Sequence, residues 1–295
     1  MNGREPAYLI VNADDYAYYD CVSRGILQCA ESGIVTATGV FANSPHLKAH
    51  APWLASASGL DSGVHLNITD RRPVTRAMED RLDRYDGEFP GKFAMAKALL
   101  DGAVPRTLVK DEWRAQIECC LDAGLQPKFL NSHEHMHMFP GLYPITVDLA
   151  AEYGIPHLRH AAPEWPPGPG VSALLRDAIM ALLSATNYHR CRRVAPRFMG
   201  MGESGRLSAD YLQRIHKRLR PGGIYELMCH PGYFDPEEVR DERLLGYHDW
   251  EQERRNLSES GLRTLLKDNQ VELIGYRHLQ IRGGELQVVK EETSR

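Results

Sequence analysis

The sequence predicts an α/β fold, specifically a single-domain, distorted or incomplete TIM-like (β/α) barrel. Short β-type runs alternate with amphipathic helical stretches, which is the pattern of βαβ units and of a mainly parallel sheet. No change in composition divides the 295 residues into two domains, and no repeat is visible at periods of about 20 to 50 residues. We therefore expect one domain over residues 1–295, with functional groups at the carboxyl ends of the strands.

The first half of the chain begins with an apolar run at residues 8–11, which predicts a buried strand. The patterns that follow are, in order, a helix at 21–32, a strand at 35–42, a helix at 46–56 and a strand at 61–66. Residues 67–90 are polar and rich in Arg and Asp, so we expect a loop insertion beside the active site. Helices are predicted next at residues 91–101 and 107–123.

The second half of the chain continues the alternation. Its predicted elements are, in order, a strand at 128–130, a helix at 144–153, a strand at 156–158, helices at 171–185 and 208–219 and a strand at 223–229. Prolines crowd residues 161–170, where they exclude both a helix and a central strand and predict a second loop insertion. Residues 240–268 are charged and mostly helical, residues 271–275 form a short strand, and residues 279–289 form a hairpin around two glycines.

Composition argues against several classes of partner. The formal net charge is −4, from 35 basic and 39 acidic residues, so we expect no nucleic-acid partner. No stretch approaches the roughly 18 apolar residues of a transmembrane helix, and no signal peptide is recognisable. The six cysteines form no C-x-x-C pair, which fits free thiols in a reducing compartment. We expect a soluble, cytoplasmic protein that acts on a small or lipid-linked molecule, and a homo-oligomer is compatible with the sequence.

Two adjacent carboxylates, Asp14 and Asp15, follow the first predicted strand. Adjacent acids repel each other unless a cation or a proton relieves the pair. One interpretation therefore assigns one carboxylate to a metal ion and the other to proton transfer. The alternative is a turn or the N-cap of the next helix.

Two histidines occupy the same position on other strands. His65 lies near the end of the strand at 61–66, and His230 follows the strand at 223–229. Either one alone could be a structural histidine that is hydrogen-bonded through one ring nitrogen. A barrel would bring them to the same rim as Asp14 and Asp15, which favours a shared site.

Three further histidines, His133, His135 and His137, lie within five residues after the strand at 128–130. Neutral imidazole is a preferred ligand of Zn²⁺ and related ions, so this density predicts a metal site, with a metal-free polar loop as the alternative. His133, Glu134 and His137 also match the His-Glu-x-x-His pattern of zinc peptidases, which requires a helix. A predicted strand ends just before the motif and Pro140 follows it, so a zinc metallopeptidase is the second hypothesis.

Together these motifs resemble those of the YdjC-like (ChbG/HpnK) carbohydrate deacetylases, which are distantly similar to the NodB-type polysaccharide deacetylases. The matching stretches are Leu9-Ile10-Val11-Asn12-Ala13-Asp14-Asp15, Gly33-Ile34-Val35-Thr36, Gly63-Val64-His65-Leu66-Asn67, Ser132-His133-Glu134-His135-Met136-His137-Met138-Phe139-Pro140 and Met228-Cys229-His230-Pro231. The resemblance implies an incomplete (β/α) barrel and one divalent ion, Zn²⁺ or Mg²⁺. The metal ligands that it implies are Asp15, His65 and His133. It also implies Asp14 as general base and His230 as general acid, while Asn67 and His137 are predicted to bind substrate or to support the site.

Two positions depart from the family pattern. Tyr16-Ala17 stand where Phe-Gly is common, a change that can reshape the neighbouring loop. Asn131 stands where an acid is common, which removes a carboxylate near His133 that would tune the metal.

We therefore expect a metal-dependent hydrolase that removes an N-acyl group, in particular acetyl, from an amino sugar that is free, oligomeric or lipid-linked. An amide resists attack by water, so the site must generate hydroxide and polarise the carbonyl, which a divalent ion with open positions does. The nitrogen leaves only when it is protonated, which requires an acid. The amino-sugar part rests on the resemblance, because the residue chemistry alone also allows a peptidase. A non-catalytic sugar- or metal-binding module is the third hypothesis.

Overall fold

The computed structural model describes residues 5–164, 171–191 and 194–289. Its strands are β1 (Ala7–Tyr16), β2 (Ala37–Phe41), β3 (Asp61–Leu66), β4 (Phe129–Ser132), β5 (His157–Leu158), β6 (Arg197–Met199), β7 (Ile224–Cys229), β8 (Val271–Leu273), β9 (Leu279–Arg282) and β10 (Glu285–Val288). Its α-helices are α1 (Asp20–Ser32), α2 (Leu47–Ser56), α3 (Arg76–Arg81), α4 (Lys92–Leu100), α5 (Arg106–Asp122), α6 (Leu142–Glu152), α7 (Val171–Cys191), α8 (Ala209–Arg214), α9 (Glu242–Tyr247), α10 (Trp250–Leu257) and α11 (Leu262–Asp268). Strands β9 and β10 pair in an antiparallel hairpin, as predicted.

Strands β1 to β8 form one parallel sheet with helices packed along it. The order is β5-β4-β3-β2-β1-β7-β6, and β8 pairs with the first residues of β1. In the described part of the chain, β5 and β6 stand at the two ends of this order and do not pair with each other. The sheet curls into a half-barrel, so the predicted incomplete TIM-like (β/α) fold is confirmed.

The central strand β1 is buried along its whole length, and its side chains pack alternately on the two faces of the sheet. Leu9, Val11 and Ala13 belong to the large apolar core shared with the helices. Tyr8 and Ile10 point the other way and pack into a smaller apolar cluster inside the half-barrel. Because side chains alternate along a strand, the next inward residues are polar, and a polar layer therefore covers the apolar layer toward the carboxyl ends of the strands.

Some segments differ from the predicted elements. β1 continues to Tyr16, so the two acids belong to the strand itself. Residues 67–90 contain α3 and a 3-10 turn at Asp83–Tyr85. β6 has no counterpart among the predicted strands, because three residues are too few to show an alternation. Residues 161–164 of the second predicted insertion have no regular structure, and 165–170 lie outside the described residues.

None of the helices within residues 5–164, 171–191 and 194–289 is long and apolar enough to cross a bilayer. The longest, α7, has 21 residues.

Candidate metal centre

A β-bulge near the end of β1 aims two consecutive carboxylates into the half-barrel. Neighbouring side chains in a regular strand point to opposite faces, yet Asp14 and Asp15 are both buried against polar groups of the interior. The pairing of β1 with β2 shifts register between Ala13 and Tyr16, and Asp15 has a left-handed φ of 70°. Such bulges re-aim side chains at active sites, and this one separates the surroundings of the two acids.

Asp15 lies between two imidazoles. Its Oδ1 atom is 3.3 Å from Nε2 of His65, which is carried by β3, and 3.1 Å from Nδ1 of His133, which follows β4. The ligand atoms of all three residues lie within 4.8 Å of one another. The structure thus brings together the three residues that were predicted as metal ligands.

The charges around Asp15 keep its carboxylate ionised. Burial opposes ionisation of the carboxyl, but His133 and His65 outweigh burial and hold its pKa well below the usual range. Burial likewise lowers the pKa of His133, and Asp15 outweighs that effect and raises it to about 9. One carboxylate and two imidazoles are donors that Zn²⁺ accepts while keeping positions open for other ligands. The residues present therefore fit a divalent ion.

Asp14 is held by a buried arginine that the sequence motifs did not single out. Arg159, which follows β5, is fully buried and donates from Nη1 to Asp14 Oδ2 at 2.5 Å and from Nη2 to Asp14 Oδ1 at 3.0 Å. Its Nε donates to Glu226 of β7 at 2.8 Å. Burial opposes ionisation of Asp14, but Arg159, together with His65 and His230, outweighs burial and lowers the pKa of Asp14 to about 2. Glu226 is the one charged residue of the strand β7, and this pattern in the sequence could have marked Glu226 as a buried functional group.

Asn131 connects the surroundings of Asp14 with one of the predicted metal ligands, His65. Its Nδ2 donates to Asp14 Oδ1 at 2.8 Å, and its Oδ1 lies 2.8 Å from Nδ1 of His65. This amide therefore orients the His65 ring from behind and leaves Nε2 facing Asp15. The departure from the family pattern at this position affects His65, whereas the sequence placed its effect near His133.

His230 directly follows β7, and its ring lies beside the aromatic rings of other residues. Its backbone N–H donates to Glu253 at 2.6 Å, and its ring centroid is 5.0 Å from that of His248, which stacks on Trp250. Nδ1 of His230 has no hydrogen-bond partner among the described residues. Burial lowers the pKa of His230, against the opposing effect of the two aspartates. Neither His248 nor Glu253 was recognised from the sequence.

Asn67 and His137 are both fully buried and bonded to other parts of the protein. Asn67 Oδ1 accepts from the backbone N–H of Thr69 at 2.9 Å, and its Nδ2 donates to the carbonyl of Asp70, which shapes the loop after β3. His137 Nδ1 lies 2.6 Å from Ser132 Oγ, and its Nε2 lies 3.1 Å from the carbonyl of Arg159. His137 thus contacts the backbone of the arginine that holds Asp14.

The segment His133–Met138 does not form the helix that a zinc peptidase motif requires. It is a 3-10 turn in which Glu134 and His135 have left-handed φ angles of 51° and 57°. Glu134 forms an ion pair with Lys92 at 2.9 Å. Among residues 5–164, 171–191 and 194–289, no ligand group contains both His133 and His137. The geometry does not support the peptidase hypothesis.

An open cleft of about 630 Å³ lies beside the centre. Tyr18 and Tyr19 line it together with Asn43 and Arg71. The ring of Tyr18 is 5.8 Å from that of His133, so the cleft adjoins the metal ligands. Aromatic rings with polar groups beside them are suited to a molecule with both apolar faces and hydroxyl groups.

This chain is similar to several known proteins. A family model described as YdjC-like protein matches residues 8–268. A carbohydrate deacetylase of Geobacillus stearothermophilus is 31% identical over 235 residues, which cover 78% of this chain and 81% of that protein. A human carbohydrate deacetylase is 28% identical over 244 residues, covering 76% and 75%. A protein of Enterococcus faecalis V583, named for a proposed role in cellobiose-phosphate cleavage, has the same fold, with a TM-score of 0.73 and 22% identity over 92% of this chain and 98% of that one.

Proposed function

Because this chain belongs to the YdjC-like family, we propose that it is a metal-dependent carbohydrate deacetylase that removes the N-acyl group, in particular the N-acetyl group, of an amino sugar. Its relatives in Geobacillus stearothermophilus and human carry the name carbohydrate deacetylase. The observation that carries the proposal is that two adjacent carboxylates have different partners. Asp15 faces two imidazoles, whereas Asp14 is held by Arg159.

The metal would be held by Asp15, His65 and His133, whose donor set suits Zn²⁺ and accommodates Mg²⁺ less readily, because Mg²⁺ prefers oxygen ligands. A divalent ion bound there would acidify a water molecule and polarise the acyl carbonyl. Asn131 supports this role, since it fixes the His65 ring through Nδ1.

Asp14 is proposed as the base that takes a proton from the attacking water. Its Oδ1 accepts bonds from Asn12, Asn131 and Arg159, whereas Oδ2 accepts a bond only from Arg159 in the described part of the chain. Oδ2 therefore keeps a lone pair for the proton. Arg159 keeps the carboxylate ionised and fixed in position before the reaction begins.

His230 is proposed as the acid that protonates the departing amine. Its ring is buried at the same rim, and both Asp14 and Asp15 lie near enough to favour its protonated form. Burial has the opposite effect and lowers the pKa of His230, so a proton on this ring passes readily to a more basic amine. The sugar would occupy the cleft beside Tyr18, where ring stacking and polar side chains match its two kinds of surface. Asn67 would act there by shaping the loop that carries Asp70, which is bonded to the Tyr18 hydroxyl.

Acetate release from N-acetylated amino sugars tests this function. The panel should contain free, oligomeric and lipid-linked substrates, and each variant should be assayed with added Zn²⁺ and Mg²⁺. We expect release by the wild-type protein, and a loss of at least about 100-fold in kcat/KM for Asp14→Asn and Asp15→Ala, since each removes a group that acts in the transition state. The control Glu134→Gln should retain activity.

Two outcomes would contradict the proposal. Loss of activity in Glu134→Gln with retention in Asp14→Asn, measured on peptides, would favour a zinc peptidase. Metal binding without acetate release from any sugar of the panel would favour a binding module.

A further inference from the structure

A second group of one carboxylate and two imidazoles lies apart from the centre described above. Asp20, His46 and His50 each offer one ligand atom, and these atoms lie within 4.8 Å of one another. Asp20 is the first residue of α1, His46 directly precedes α2, and His50 lies in the first turns of α2. The group therefore joins the amino-terminal ends of two helices, and the proposed deacetylation uses none of its members.

This group repeats the donor pattern of the first centre. There, Asp15 Oδ1 faces Nε2 of one histidine and Nδ1 of another. Here, Asp20 Oδ1 is in direct contact with Nε2 of His50 and lies 3.7 Å from Nδ1 of His46. The same three kinds of atom converge on one carboxylate oxygen in both places.

The buried histidine is oriented from behind, as at a metal site. His50 is fully buried and stacks on Trp53, with 4.4 Å between the ring centroids. Its Nδ1 lies 3.0 Å from Ser23 Oγ, which can donate its own proton to the carbonyl of Tyr19 at 2.9 Å. In that arrangement Nδ1–H donates to Ser23 and Nε2 carries no proton, so a cation bound between Nε2 and Asp20 would replace their direct contact. An outer partner of this kind fixes the tautomer of metal-bound histidines.

The other two groups give access from solvent. The side chains of Asp20 and His46 are 33% and 37% exposed. Arg24 lies 3.4 Å from Oδ2 of Asp20 and so leaves Oδ1 to the histidines. Ligand atoms around one tetrahedral Zn²⁺ lie about 3.3 Å apart, so the ring of the surface residue His46 needs only a small rotation. The partly exposed side chain of Asp20 can turn to open its direct contact with His50.

We propose that Asp20, His46 and His50 form a second divalent-cation site, which takes Zn²⁺ or another ion that prefers imidazole and ties α1 to α2. Two imidazoles and one carboxylate select such ions over Mg²⁺ and Ca²⁺, which prefer oxygen ligands. The site is structural, since its ligands lie outside the machinery that contacts the substrate.

Zinc stoichiometry of the full-length protein tests this site. Protein stripped with a chelator is titrated with Zn²⁺, and bound metal is measured by calorimetry and by elemental analysis after gel filtration. We expect two ions per chain in the wild type, one in Asp15→Ala, one in Asp20→Asn or His46→Ala, and none in Asp15→Ala combined with His46→Ala. The control His216→Ala, a half-buried histidine outside both groups, should still bind two.

A thermal melt adds a second measurement. Zn²⁺ should raise the Tm of Asp15→Ala and should not raise that of the Asp15→Ala, His46→Ala double variant. One ion in the wild type and none in Asp15→Ala would overturn the proposal, as would two ions in both Asp20→Asn and His46→Ala. These results are independent of deacetylation, so they leave the proposed function to its own test.

Discussion

Replacing Arg159 with Met is expected to destabilise the folded protein by about 3–5 kcal/mol at pH 7, because the change leaves two buried carboxylates without their cation. Arg159 is fully buried and bonds both Asp14 and Glu226. Met fills a similar space, so the loss reports on charge more than on a cavity. A loss of this size is a large fraction of the roughly 5–15 kcal/mol that stabilises most domains.

The pH dependence of this loss has a definite sign. In the wild type the pKa of Asp14 is lowered from 3.8 to about 2, which corresponds to about 2 kcal/mol of stability. Because the folded pKa lies below the unfolded one, this stability is present above about pH 4 and is lost as pH falls toward 2. In Arg159→Met, burial acts on Asp14 without the arginine and raises its pKa, so the variant loses stability as pH rises. The difference between the two proteins should widen from pH 3 to pH 7.

Urea unfolding of metal-free protein, followed by circular dichroism at several pH values, measures this difference. Glu226→Gln provides the matched control, because it neutralises one of the two carboxylates in place. The double variant Arg159→Met, Glu226→Gln should be more stable than the sum of the single losses by about 1–2 kcal/mol, since only one charge is then unpaired. A loss below about 1 kcal/mol in Arg159→Met, or one that does not change with pH, would refute the electrostatic reasoning.

Two further substitutions test the surroundings of the metal ligands. Asn131→Ala should weaken Zn²⁺ binding at the first centre by about 10- to 100-fold in a calorimetric titration, because His65 loses the partner on Nδ1; unchanged affinity would show that the ring is fixed by other contacts. Gly63→Ala should cost about 1–3 kcal/mol in urea unfolding, since an added Cβ would lie 2.5 Å from the buried ring of Phe129. Gly59→Ala, where nothing lies within 4 Å, is its control, and equal stabilities of the two variants would contradict the packing argument.

The positions of His65 and His133 at strand ends could be predicted from the sequence, because apolar patterning locates buried strands and a parallel sheet places their carboxyl ends on one rim. The orientation of Asp15 could not. It depends on a bulge whose existence is decided by how β1 pairs with β2, and that pairing is a tertiary property. The sequence nevertheless indicated that the repulsion between two adjacent acids must be offset by nearby positive charge, and the structure shows Arg159 beside Asp14 and two histidines beside Asp15.

Arg159 was missed for a related reason. It follows β5, a strand of only two residues, and such a strand has no pattern of its own to mark what comes next. Glu226 offered a better signal, since a single acid within the apolar strand β7 needs a cation or a hydrogen-bond donor when it is buried. A search for the partner of Glu226 would have led to the buried cations of the chain.

The adjacent acids of β1 therefore solve one electrostatic problem in two different ways. Asp14 is relieved by Arg159, a cation that is part of the chain and remains charged at every physiological pH. Asp15 is relieved by two histidines, which can give up their protons and bind an exchangeable ion together with it. The first arrangement suits a base that must stay ionised and fixed, and the second suits a metal ligand. Because the bulge assigns each acid to its own partner, exchanging the two roles would require a change in the register of the sheet as well as a change of side chain.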